Sequence, residues 1–281
     1  MINVGKMLSE WSPTYSFMPL FPAPPVSAPE VRLTAQLEER LGTVRVKGDL
    51  PRLGNEDGCI FFELDECRVP VEGGDDGATV PSRLALMGGG RFKIDQWTDA
   101  SSREQLQLVD DSKVLLAEAN YYLLASNGFG SLLEREVEYG AIASFADAIL
   151  NAYPDCVGFF WPYSQSMVSR VRWAHGRFGR ALHFLDGGLN VRNYRLDGGG
   201  RLVDTVGLVP VGLPDVQVLC SRLGLEEACV FAEGLASYLF ERGNVICDGD
   251  AVEGPDGASW ECRREMAAVG PERPVVAVRQ P

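Results

Sequence analysis

Apolar residues recur at spacings of three and four in three stretches of the chain, and each predicts an amphipathic helix with one face on a core. The first stripe is Leu33, Leu37 and Leu41, opened by Ser27-Ala-Pro-Glu30, a capping box with Pro in the first turn. The second is Ile142, Phe145, Ala146, Ile149 and Tyr153, stopped by Pro154. The clearest is Leu225, Ala228, Ala232, Leu235 and Leu239, with Gly243 where a C-terminal cap belongs.

Between these stripes lie short runs rich in β-branched and aromatic residues, which predict strands over 43–47, 58–64, 157–161, 189–196, 201–206, 215–220, 245–247, 260–266 and 275–278. Asp197-Gly-Gly-Gly200 reads as a hairpin turn, and Pro255-Asp-Gly257 as the turn joining the runs at 245–247 and 260–266. Residues 114–124 suit either a buried strand or a helix and are taken as a strand. The order lacks strict βαβα alternation, so the expected class is α+β: mostly antiparallel sheet with helices packed on one face. A strand-helix-strand-strand unit fits both halves, although no identity at a fixed period marks a repeat.

Residues 1–26 depart from this pattern. Pro13, Pro19, Pro22, Pro24 and Pro25 are interleaved with Trp11, Tyr15, Phe17 and Phe21, and proline this dense opposes both helix and central strand. The stretch is expected to be an N-terminal arm or edge strand, and residues 27–281 a single α+β domain, with subdivision near residue 155 as the alternative.

Composition narrows the partners. With 46% hydrophobic residues among 281, the chain can bury a sizeable core. Its net charge of −13 disfavours nucleic acid and anionic membrane surfaces and favours a basic partner. Residues 169–201 run against that sign, with seven arginines, including Arg170, Arg172 and Arg177, against two aspartates. Together with Trp173 they read as an interface anchor more readily than as a nucleic-acid strip, since Arg and Trp are enriched at binding hot spots. The start lacks the apolar segment of a secretory signal, and no long apolar run could span a bilayer, so a cytoplasmic location is expected. The seven cysteines never fall at Cys-x-x-Cys spacing and are expected to be reduced and buried, with no metal.

Candidate chemistry is sparse. His175 and His183 are the two histidines, and neither adjoins a nucleophile or metal motif. The glycines at 73–77 and 88–90 lack the Lys and Ser/Thr of a phosphate loop. Ser164 and Ser166 follow a strand but have no flanking Gly for a nucleophile elbow, and read as helix-capping residues. Asp248, Asp250, Glu253 and Asp256 miss the calcium-loop pattern and read as a solvated hairpin. No cofactor is expected.

One block is specific. Asp204-Thr-Val-Gly207-Leu, then Gly212-Leu-Pro214-Asp215-Val-Gln217, then the third helix and Asp248-Gly249, resembles the bacterial family of domain of unknown function 4261. The resemblance extends weakly to the first third of the chain. It implies a bacterial cytosolic protein, some of whose relatives look like immunity proteins encoded beside secreted polymorphic toxins. The leading expectation is therefore a protein that binds and neutralises a cognate antibacterial toxin, delivered by a type VI or related system. Trp11, Phe21, Asp75, Asp76 and the arginine segment are the contacts expected of such an inhibitor. The alternatives are a hydrolase or modifying enzyme using Asp204, Asp215, His175 and Asp248, and a scaffold that forms a homodimer.

Overall fold

The computed structural model describes residues 14–25, 30–48, 58–70, 77–98, 100–128, 133–179 and 182–281. Trp11, Ser27, Asp75 and Asp76 lie outside these residues. The fold is α+β with two mostly antiparallel sheets, and the chain divides into two compact units, residues 13–187 and residues 188–281.

The first unit contains strands β1 (Ser16–Phe21), β2 (Val44–Gly48), β3 (Cys59–Pro70), β4 (Thr79–Met87), β5 (Tyr121–Tyr122), β6 (Leu124–Gly128), β7 (Gly158–Trp161) and β8 (Ser166–Ser169). Its helices are α1 (Glu30–Leu41), α2 (Ala100–Leu108), α3 (Asp110–Glu118), α4 (Arg135–Ala152), α5 (Arg170–His175) and the single turn α6 (Leu185–Gly188). The sheet runs β2-β3-β4-β6-β1-β7-β8, with β5 also on β1. Successive residues of a strand face opposite sides. Phe17 and Phe62 therefore meet Phe145 of α4 on one face, at ring separations of 6.0 and 5.9 Å. Met18 and Leu20 point the other way, into a cluster with Leu106 of α2 and Leu115 of α3.

Strand β1 corrects the expectation of an arm or edge strand, because it sits mid-sheet between β6 and β7. Proline is admitted there because the partner ladder breaks opposite it. In the antiparallel register Pro19 faces Leu123, the residue between β5 and β6, and its carbonyl still accepts from the Leu123 amide at 3.1 Å. Only the donor that proline lacks is lost. Phe21, expected at a partner surface, is fully buried beside Tyr153.

Residues 114–124 are a second correction, since their first half is helix. Asp110 and Asp111 in the first turn of α3 favour its start, and Leu115 and Ala119 form a buried stripe at four-residue spacing while Val114 remains exposed. Ser164 and Ser166 do not cap a helix either. Both donate to the Gly187 carbonyl at 2.6 Å, and the residue that caps α5 is Ser169, which accepts from the Arg172 amide.

The second unit contains β9 (Asn190–Arg195), β10 (Arg201–Val206), β11 (Asp215–Cys220), α7 (Leu225–Arg242), β12 (Ala251–Glu253), β13 (Ser259–Met266) and β14 (Pro274–Arg279). The sheet order is β12-β13-β14-β11-β10-β9, antiparallel except for β11 with β14. Ala228, Ala232, Leu235, Ala236 and Leu239 of α7 are buried against it, as their spacing predicts. Residues 245–247 are not a strand. The Ile246 carbonyl accepts from the Arg264 guanidinium and the Cys247 amide donates to Asp250, so side chains have taken the groups a ladder would need. The cysteines are unpaired, and Cys156, Cys220 and Cys262 are buried, whereas Cys247 is exposed against expectation.

Candidate functional site

The motif that drew attention in the sequence is the interior of the second unit. Strands β9, β10 and β11 are neighbours, and their register sets Arg192, Asp204 and Gln217 side by side. Arg192 grips Asp204 with two parallel bonds, Nε to Oδ1 at 3.0 Å and Nη2 to Oδ2 at 2.6 Å, and its Nη1 reaches the Gly270 carbonyl at 2.9 Å. Arg273, just before β14, donates Nε to Asp215 at 3.1 Å and Nη2 to Asp204 at 2.5 Å and to the Thr205 carbonyl at 2.9 Å. Its Nη1 takes the Val269 and Pro271 carbonyls.

The remaining oxygens are filled as well. Asp215 Oδ1 accepts from the Leu208 amide and the Thr205 hydroxyl, and the Thr205 hydroxyl accepts from the Val216 amide. Gly212 takes a left-handed φ of 77° at the end of the helical turn Val209–Val211, which returns the chain to Pro214 and β11. Gln217 accepts from the Ala268 amide at 2.8 Å, and Asp248 from the Arg264 amide at 2.9 Å. Gly249, at a φ of 86°, donates to the Cys262 carbonyl. Asp204, Asp215, Arg192 and Arg273 are each at most 3% exposed. Two carboxylates thus face two guanidiniums in a dry, neutralised cluster, and all five donors of Arg273 are engaged. Burial pushes the Asp215 carboxyl up to about 6, against the pull of Arg273 and the Leu208 and Gly207 amides. Such a cluster ties the loops around Leu208 and Gly270 to one sheet and turns its carboxylates inward.

Residues 204–279 match the model of the family described as a domain of unknown function (DUF4261). This C-terminal segment is similar to the DUF4261 family. It begins at Asp204 and takes in Asp215 and Arg273, whereas Arg192 comes from the strand before it. A search of curated proteins and a search of solved structures return no match.

The first unit holds a charged cluster that sequence reasoning missed. His183 Nδ1 lies 2.9 Å from Asp186, its Nε2 lies 3.4 Å from Asp147, and the Trp173 ring lies beside it, tilted by 44° with ring centres 4.1 Å apart. Asp147 also accepts from the Trp173 indole at 2.8 Å and from Arg40 at 2.6 Å. Burial opposes the imidazolium, but the bonds to Asp147 and Asp186 outweigh it and push His183 up to about 9. Burial likewise works to raise Asp147, and the bonds from His183 and Trp173 hold it below the usual carboxylate range. A histidine held charged at neutral pH in this way fastens elements together. Only the three-residue step from His183 to Asp186 was visible locally, because Asp147 lies 36 residues away.

The arginine segment is dispersed by the fold. Trp173 is fully buried, which corrects its expected place at a partner surface. Arg170 caps the C-terminal end of α4, donating to the Leu150, Tyr153 and Cys156 carbonyls where the helix dipole is negative. The Arg177 amide donates to Asp186, and Arg172 remains half-buried. His175 bonds the Val171 carbonyl within its own helix. Among the described residues no group of His, Cys, Asp or Glu is arranged to hold a metal ion, and no helix is long and apolar enough to cross a membrane.

What the DUF4261 segment leaves open is a groove of about 1080 Å³ between α7 and the turn after β12. Leu225, Val230, Phe231 and Pro255 supply an apolar lining, and Glu226, Glu227 and Glu253 a carboxylate rim. Its two walls obey different rules. A Cβ on Gly254 would lie 2.1 Å from the Trp260 indole nitrogen, so glycine is obligatory there, and the indole in turn donates to Asp256 at 2.8 Å. A Cβ on Gly234, in the middle of α7, would meet nothing within 4 Å. A second acid-rimmed depression, on the first unit, is lined by Val114, Val171, Asp110, Asp111, Glu118 and Asp155.

Three outcomes follow from this geometry. Asp204→Ala leaves two buried guanidiniums short of a counter-charge and is expected to cost about 3–5 kcal/mol in urea unfolding. A loss below about 1 kcal/mol would remove the cluster from the role given to it. His183 titrates at its ordinary value of 6.5 when unfolded and at about 9 when folded. Its stabilisation is therefore complete below the unfolded value and drains away as pH rises toward the folded one. The stability gap between wild type and His183→Ala should be wide at about pH 6 and nearly closed at about pH 10. Gly234→Ala is expected to raise stability by ~0.5–1 kcal/mol, the usual cost of glycine inside a helix.

Proposed function

We propose that the protein captures a basic partner protein, and that its specific role is to neutralise a cognate antibacterial toxin of a type VI or other polymorphic system in the cytoplasm. The observation that carries the reading is the groove on α7, where an apolar floor is ringed by Glu226, Glu227 and Glu253. A net charge of −13 supports it, because an acidic inhibitor is steered onto a basic surface faster than a neutral one and needs no chemistry of its own. The resemblance of the Asp204 to Gly249 block to a family with immunity-like members points the same way.

The test is recovery of tagged protein from its native host at low and at high salt, followed by mass spectrometry and a toxicity assay of what is retained. One stoichiometric basic partner, released as salt rises and lethal to cells when expressed without this protein, is the expected result. Recovery of this protein by itself at both salt concentrations would overturn the proposal.

A further inference from the structure

The exposed side of α7 carries a row of residues spaced by four: Glu226, Val230, Gly234, Tyr238 and Arg242. Rows of this spacing form the ridges along which helices pack on one another. Val230 and Tyr238 are 62% and 47% exposed, large apolar surfaces for positions that the unit's own core does not use. Between them the ridge drops to bare backbone at Gly234. The fold gives no reason for that drop: α7 is regular helix through this point, Gly234 has no left-handed φ, and a Cβ would meet open space. Gly254, on the opposite wall, is held by the Trp260 ring and so explains itself. A missing side chain within an exposed apolar ridge is a notch that admits the ridge of a crossing helix.

Charge orients whatever enters. Glu226, Glu227 and Glu253 stand at the N-terminal end of α7, and Arg242 ends the row at the other. The complement is a helix with an apolar stripe and with lysines or arginines at the end that meets the carboxylates. We propose that the groove receives one amphipathic basic helix of the partner protein, with a large apolar side chain seated in the notch over Gly234. This rests on the partner-capture reading above and names how the capture is made.

The probe is a fluorescent synthetic helix of roughly four turns with a leucine stripe flanked by lysines, beside the same peptide with glutamate at every lysine position. Fluorescence anisotropy is measured on wild type, on Gly234→Leu and on the triple variant E226Q/E227Q/E253Q. A Cβ at 234 meets nothing within 4 Å and leucine favours helix, so thermal unfolding of that variant should match or exceed wild type and certify its fold.

The expected result is binding of the lysine peptide to wild type, weakened at least about tenfold by Gly234→Leu and by the triple variant, with no binding of the glutamate peptide. Equal affinity for wild type and Gly234→Leu, failure of wild type to bind the lysine peptide, or equal binding of both peptides would each overturn the inference. The pull-down separates the two levels. A partner retained equally by Gly234→Leu sinks the helix-in-notch inference and leaves partner capture standing, whereas a wild-type protein that retains no partner sinks the capture reading itself.

Discussion

Arg273 is the residue on which the C-terminal unit depends. Its guanidinium spends every donor inside the protein, on Asp204, Asp215 and the carbonyls of Thr205, Val269 and Pro271. One planar group thereby fixes the positions of β10, the entry to β11 and the loop that precedes β14. A buried ion pair is a weak source of net stability compared with apolar packing, but it is intolerant of alternatives, because any other register strands a charge in a dry interior. What Arg273 supplies is uniqueness of arrangement. The β11–β14 pairing is the one parallel ladder described, its strands are distant in sequence, and it needs such a device more than a hairpin does.

The first unit solves a similar problem with a different cation. His183 is held charged between Asp147 and Asp186, with Trp173 beneath it, and Arg170 closes the end of α4. Several charges that stand out in the sequence are thus absorbed by the architecture. The carboxylates of the α7 groove differ in facing an apolar surface that is still open to solvent.

Much of the fold was legible, and the failures have physical causes. The stripes of α1, α4 and α7 and the hairpin at Asp197-Gly-Gly-Gly200 are local patterns, and the structure places them as periodicity and turn chemistry require. Residues 114–124 misled because an apolar run holds no period of its own, and the aspartates that start α3 lie just before it. β1 misled because the permission for Pro19 is granted by a break in a strand about a hundred residues away. The importance of Asp204 and Asp215 could be read from the sequence, but their partners could not. Arg192 was hidden within a run of arginines, and Arg273 just ahead of a short terminal strand. Trp173 looked like an interface anchor because composition does not report burial. β4 was missed altogether: its first residues, Thr79-Val-Pro-Ser-Arg83, mix polar and apolar types without strict alternation and conceal the apolar Leu84-Ala-Leu86 that joins the core.

The Trp260 ring pressed against Gly254 has a consequence for how binding preference can change over time. With the indole filling the space above residue 254 and pinned through Asp256, the hairpin wall of the groove has no room to vary without dismantling the packing beneath it. The helix wall is under no such restraint. Lineages that meet new partners would therefore be expected to diversify at positions 226, 227, 230 and 234 while the facing turn stays the same, as a lock is recut on its pins and not on its housing.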